Sequence, residues 1–233
     1  MIFGLFRFDW TILLVIPGLI ISIWAQIKVS TTFKKYSQMR TRRGMTGYDA
    51  ARRILDSNGL SHVRIEQIGG HLSDHYDPRA NVIRLSHDVY SSSSPAAIGV
   101  AAHEAGHAIQ YAKEYGPIKL RAGLVSITQF SSALAIPLFF IGLMFASDAL
   151  MLAGILLYAA IAFFQLVTLP VEFNASSRAL KVLSSSAMLN QEELDASRKV
   201  LSAAAMTYVA ALLTSLLTLL RLLLLANSRN NRR

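Results

Sequence analysis

The chain has 233 residues, 53% of them hydrophobic and 16% charged, with a formal net charge of +9 and no cysteine. Soluble domains carry about 25% charged residues, so this composition argues against an ordinary water-soluble protein. The absence of cysteine excludes disulfides and thiolate chemistry and leaves His, Asp and Glu as the strong metal ligands.

Four stretches long enough to cross a bilayer contain no Asp, Glu, Lys or Arg: residues 10–27, 122–147, 149–171 and 200–220. A bilayer crossing takes about 20 apolar residues, and past Arg221 the last stretch continues its apolar length to residue 226. The expected transmembrane helices are therefore about 10–27, 122–147, 149–171 and 200–226. No small-x-small cleavage site closes the first stretch, so it reads as a retained anchor rather than a signal peptide. Beyond it, residues 28–48 carry Lys28, Lys34, Lys35, Arg40, Arg42 and Arg43 without one acid, whereas the tail before it offers Arg7 beside Asp9. The positive-inside rule places residue 28 onward in the cytoplasm and the N-terminus outside. That basic charge lies where anionic lipid headgroups attract it. No recognition helix or aromatic-interleaved basic stripe appears, so membrane lipid, and not nucleic acid, is the expected partner.

Residues 28–121 form the expected cytoplasmic segment. Thr46 and Asp49 fit a capping box opening a helix through about Ser57, and Gly59 suits the left-handed residue that ends it. Alternation over residues 62–68, a break at Gly69-Gly70, a turn at Asp77-Pro78-Arg79-Ala80 and a strand-like run at 81–86 predict a short hairpin or pair of strands. Ser94 as N-cap followed by Pro95 opens a helix expected to run to about Tyr115, before Gly116-Pro117.

That helix carries "AAHEAGHAIQ", residues 101–110. Four residues advance a helix by about 400°, so His103 and His107 project from one face and a single zinc can reach both. Glu104 falls on the flank, as in the H-E-x-x-H arrangement in which the glutamate is a general base to water made nucleophilic by zinc. Such a pattern also recurs by chance, but burying two imidazoles and a carboxylate amid Ala, Val and Ile is costly unless a metal compensates. Gly106 lowers helix stability by ~0.5–1 kcal/mol relative to alanine, which a close packing contact would explain.

A catalytic zinc needs a third protein ligand and leaves the fourth position for water. "LPVEFNASSRAL", residues 169–180, offers Glu172 at the cytoplasmic end of the third span, because two crossings after His107 return the chain to the same side. Asn174 or Ser176 would serve as hydrogen-bonding partners that orient a ligand. The ordinary alternative is a juxtamembrane glutamate paired with Arg178 or a lysine. For substrate, residues 81–86 are the candidate sheet edge to which an extended peptide adds, with Arg84 facing the cleft while Val82 and Leu85 pack. His75, Tyr76 or Arg178 would donate to the developing oxyanion. His62, His71 and His87 read as surface or turn residues. A helix capped at Asn190 runs into the last apolar stretch; a fourth crossing would leave Arg229, Arg232 and Arg233 outside, against the charge bias, so it could instead lie in the interface or turn back.

Taken together, "DHYDPR" at 74–79, "RLSHDVY" at 84–90, "VAAHEAGHAIQ" at 100–110 and "LPVEFNASSRA" at 169–179 resemble, in order, the blocks of the bacterial membrane-bound neutral zinc metallopeptidases of the YugP type. The resemblance covers nearly the whole chain. It implies one mostly α, integral membrane peptidase domain over residues 1–233, with about four transmembrane helices and a small α+β cytoplasmic segment carrying the metal helix. It further implies one Zn2+ per chain held by His103, His107 and Glu172, with Glu104 as catalytic base. A looser similarity to HtpX-type membrane proteases points the same way, except that those usually place an aspartate where Ser176 stands. The expected location is the bacterial inner membrane with the site at its cytoplasmic face, acting on peptides or membrane proteins, with quality control a fitting role. The competing class is a catalytically inactive, metal-stabilised membrane scaffold, against which the presence of Glu104 argues. A transporter is disfavoured because no charge lies inside the first three apolar stretches.

Overall fold

The computed structural model describes residues 10–230; Arg7, Asp9, Arg232 and Arg233 lie outside the described residues. It is mostly helical, with α1 (Val15–Ser37), α2 (Gly47–Ser57), three strands β1 (Arg64–Ile68), β2 (His75–Asp77) and β3 (Val82–Ser86), then α3 (His87–Tyr90), α4 (Pro95–Ala112), α5 (Gly116–Met144), α6 (Asp148–Ser185) and α7 (Gln191–Asn230). Among the described residues, four helices are long and apolar enough to cross a membrane: the one entered at Trp10, α5, α6 and α7. Only 11% to 22% of each apolar window is buried, and the exposed side chains include Trp10, Ile20, Trp24, Phe130, Leu156 and Phe163. An apolar surface of that extent requires lipid as its solvent. This is a membrane protein.

The helices outrun the apolar stretches. The first continues through Lys34 and Lys35 to Ser37, and α6 continues through Pro170 to Ser185. At the other boundary, α4 stops at Ala112 and Glu114 takes a positive φ of 52°, so Gly116 opens α5 instead of closing the preceding helix.

Two compact units are present, one of described residues through Ala25, Leu120–Thr168 and from Thr207 onward, the other of Gln26–Lys119 and Leu169–Met206. Within the first, a Cβ on Gly18 of α1 would meet Thr214 Oγ1 of α7 at 2.9 Å, Ser22 Oγ lies 3.0 Å from Thr214 Oγ1, and Arg221 Nε donates to Thr11 Oγ1 at 3.4 Å. Moving back along α1 thus matches moving forward along α7, so the two run antiparallel. Further on, Arg229 donates to the Gly142 carbonyl and reaches Asp148 Oδ1 at 3.5 Å, both beside the α5–α6 turn. Hence α7 traverses this unit as α1 does and does not turn back, and Asp148 offsets the Arg229 charge that strained the topology.

In the second unit the caps form as their sequences dictate. Thr46 and Asp49 make a reciprocal capping box, Gly59 has φ +73°, and Ser94 Oγ accepts from the Ala97 N–H with Pro95 in the first turn of α4. The sheet order is β1-β3-β2, with β3 parallel to β1 and antiparallel to β2. This corrects two expectations. The hairpin is formed by β2 and β3 around the turn in which Asp77 Oδ1 accepts from the Arg79 and Ala80 N–H groups. Residues 81–86, expected to be the sheet edge, supply instead its central strand. Val82, Ile83 and Leu85 are all fully buried, so the strand is apolar on both faces, as central strands are.

Small residues let α4 approach its neighbours. A Cβ on Gly99 would lie 3.2 Å from Ser197 Cβ of α7, and one on Gly106 would lie 2.8 Å from the Ala175 carbonyl oxygen of α6. Gly106→Ala should therefore lower the melting temperature in detergent, because overpacking costs about 1–3 kcal/mol and exceeds the ~0.5–1 kcal/mol of helix propensity gained. Gly123→Ala, where nothing lies within 4 Å of the new Cβ, provides the contrast and should be neutral or stabilising. Equal melting of the two variants would contradict the close approach.

Candidate metal centre

His103 and His107 lie one turn apart on α4, and Glu172 lies on the part of α6 that Gly106 allows close. The Glu172 Oε2 atom is 3.2 Å from His103 Nε2 and 3.6 Å from His107 Nε2, and the two rings meet edge to face with centroids 4.7 Å apart. Ligand atoms of all three residues fall within 4.8 Å of one another. Zinc bonds of ~2.0–2.2 Å in a tetrahedron separate ligand atoms by about 3.3–3.6 Å, close to the two distances from Glu172 to the imidazoles. All three are shielded, Glu172 at 2% exposure and His107 at 9%.

The outer ring nitrogens are also engaged. His103 Nδ1 lies 3.1 Å from Ser176 Oγ, and His107 Nδ1 lies 2.9 Å from Gln110 Oε1. Gln110 is itself oriented, since its amide N–H groups donate to the Val171 carbonyl at 2.8 Å and to Asn174 Oδ1 at 3.0 Å. Arg178 Nε donates to the same Asn174 oxygen at 2.6 Å. With its N–H groups spent, Gln110 can only present its carbonyl to His107, so Nδ1 carries a ring proton and Nε2 is the nitrogen turned toward Glu172. Partners of this kind hold an imidazole in a ligating tautomer.

Glu104 is 7% exposed and makes no hydrogen bond or ion pair to another described residue. Its charge nevertheless reaches Asp74 and His107. Burial raises the Asp74 carboxyl above its ordinary value, against the hydrogen bonds from the Ser86 N–H and hydroxyl, and Glu104 raises it further. For His107, burial acts to depress the imidazole, yet the Glu172 hydrogen bond and the Glu104 charge outweigh it and hold it above its ordinary value. The cluster thus presents a negative potential that a cation complements.

The sequence-proposed substrate groups make other contacts: Arg178 joins the Gln110 network through Asn174, while His75, Tyr76 and Arg84 bond within or beside the sheet. Tyr76 tilts against Tyr111 with centroids 5.7 Å apart and gives its hydroxyl to Asn81 Oδ1 at 3.0 Å. His75 is exposed, with Nδ1 2.8 Å from the Ser73 carbonyl. Arg84 lies between strands, 2.9 Å from Asp77 Oδ2 and 3.6 Å from Glu66 Oε2; its hydrogen bond holds the Asp77 carboxyl below the usual carboxylate range. Arg178 is committed to Asn174 and to the Tyr115 ring, 5.9 Å from its centroid. Gln110 and Asp74 were not singled out for the site from sequence. The signal for Gln110 was present: it stands three residues after His107, on the same face of an otherwise apolar helix.

Comparison with known proteins agrees with this chemistry. Residues 11–227 match the family described as "Putative neutral zinc metallopeptidase". The chain is 49% identical over 214 residues to "Putative membrane protease YugP" of Bacillus subtilis (strain 168), covering 92% of this chain and 95% of that one. No solved structure matches. With one family matched across nearly its whole length and a relative close to half identical, the chain belongs to the neutral zinc metallopeptidase family.

Proposed function

We propose that this protein is a zinc-dependent membrane peptidase in which His103, His107 and Glu172 hold one zinc ion and Glu104 is the general base. The observation that carries this reading is the convergence of two imidazole Nε2 atoms on one Glu172 oxygen at 3.2 and 3.6 Å, with an unpaired carboxylate beside them. When bound, zinc supplies Lewis-acid chemistry, making water nucleophilic at neutral pH and polarising the carbonyl under attack. Ser176 and Gln110 keep the two imidazoles aimed inward through their Nδ1 atoms. Glu104, bound to no other side chain, takes the proton released by the attacking water and passes it to the departing amine nitrogen. Burial of Glu104 and Glu172 thins out competing water and strengthens these charges.

An extended substrate would pair with the outer edge of β2, the strand beside β3 that also packs against the metal helix. The substrates we propose are polypeptides presented at the cytoplasmic face of the bacterial cell membrane. That orientation rests on Lys28, Lys34, Lys35, Arg40, Arg42 and Arg43 following the first apolar stretch. The family match across residues 11–227 supports treating the whole chain as one peptidase domain. Stripping the detergent-purified protein of metal with 1,10-phenanthroline should abolish casein cleavage, and one equivalent of zinc per chain should restore it. Cleavage that survives complete metal removal would overturn the proposal.

A further inference from the structure

Away from the metal cluster, Ser30, Phe33, Lys34 and Ser37 recur at helical spacing and so share one face of α1. They line a cleft of about 510 Å³ whose other wall is built by His71, His87, Asp88, Ser91 and Ser92. Its free polar groups are donors. The Lys34 ammonium makes no ion pair or hydrogen bond to another described residue, and neither the Ser30 nor the Ser91 hydroxyl bonds to one. His87 Nδ1 accepts from Gln67 Nε2 at 2.8 Å, which leaves the ring proton on Nε2 available to a ligand. The one carboxylate of the lining, Asp88, is committed to His71 Nδ1 at 3.0 Å, and the His71 ring is steadied edge-on by Phe33. Ser37 and Ser92 spend their hydroxyl protons on the Lys34 carbonyl and on Ser94 Oγ.

Free donors around a single acid that is already bonded to His71 describe a site for an oxyanion. Its place along α1 names the source. Ser30 and Lys34 stand three and seven residues beyond Ile27, the last residue of the first apolar stretch. At 1.5 Å per residue that is roughly 4.5 and 10 Å, which spans the polar headgroup layer of a bilayer, and the lysine stem can reach back toward it. We propose that this cleft binds the phosphate of an anionic phospholipid headgroup, with Lys34, His87, Ser30 and Ser91 as its donors. A headgroup held there bridges α1 to the segment that leads into the Ser94 cap of α4, so occupancy stabilises the fold.

The full chain in detergent is titrated with dioctanoyl phosphatidylglycerol, dioctanoyl phosphatidylcholine or sodium phosphate, with bound lipid counted by native mass spectrometry and melting temperature followed. The native protein should retain one phosphatidylglycerol in preference to phosphatidylcholine and melt higher with it. Lys34→Gln and Lys34→Gln/His87→Gln should bind it about tenfold more weakly or worse, while Lys28→Gln, outside the cleft, binds as the native chain does. Both cleft variants should melt near the native temperature without lipid, Lys34 being exposed. Undiminished binding by the cleft variants, or an equal loss in Lys28→Gln, would overturn the site. A shift with sodium phosphate equal to that with phosphatidylglycerol would overturn the lipid assignment in favour of a soluble phosphate.

Discussion

Glu104→Gln should lower kcat for peptide cleavage by about 10²–10⁴-fold, the usual contribution of a positioned acid–base group, while leaving bound zinc unchanged. The reason lies in how differently the two glutamates of the site are used. Glu172 touches both imidazoles, whereas Glu104, the residue after His103, is buried without a hydrogen-bonding partner among the described residues. Glutamine keeps the shape of the side chain and removes only its ability to take a proton. Zinc content by atomic absorption and cleavage of casein or a membrane-protein fragment are read on the same preparation. Native cleavage by Glu104→Gln would assign the base to another group, and Asp74, which feels the Glu104 charge, is the next carboxylate to examine. Zinc in both proteins with cleavage in neither would favour the inactive scaffold.

Glu172→Gln should instead empty the site. Replacing the carboxylate removes the anionic donor that both Nε2 atoms face, so zinc affinity should fall by more than the roughly 10–100-fold that follows loss of a supporting partner. Ser176→Ala, which removes only the hydroxyl near His103 Nδ1, should show that milder loss. The difference is also visible in stability. Zinc at a thousandfold excess over its Kd stabilises the folded protein by about 4 kcal/mol, so the native chain should melt markedly higher with zinc and Glu172→Gln should not. A zinc-dependent rise in Glu172→Gln equal to the native one would remove Glu172 from the site.

Much of this arrangement was legible because its determinants are local. Thr46 with Asp49, and Ser94 with Ala97, place helix starts by hydrogen bonds spanning three residues. The return of Glu172 to the histidines' side follows from counting two crossings, which needs no contact information. What escaped was decided at a distance. β2 has three residues, too few for alternation to register. The central position of β3 depends on pairing with both β1 and β2. A glutamine in a helix ordinarily faces water, and only the Val171 carbonyl and Asn174, more than sixty residues on, turn Gln110 into the group that sets the His107 tautomer. The fate of α7 likewise waited on Gly18, Thr11 and Asp148, none of which its own sequence contains.

The claim on which all else rests is that two imidazoles of α4 and one carboxylate of α6 hold the same ion. X-ray absorption at the zinc edge, on protein loaded with one equivalent, reads this directly. The account predicts a nitrogen and oxygen shell with two imidazoles at about 2.0–2.1 Å and a carboxylate oxygen at about 2.0–2.2 Å, the carboxylate contribution vanishing or the metal departing in Glu172→Gln. A shell with one imidazole, or one left unchanged by that substitution, would contradict it.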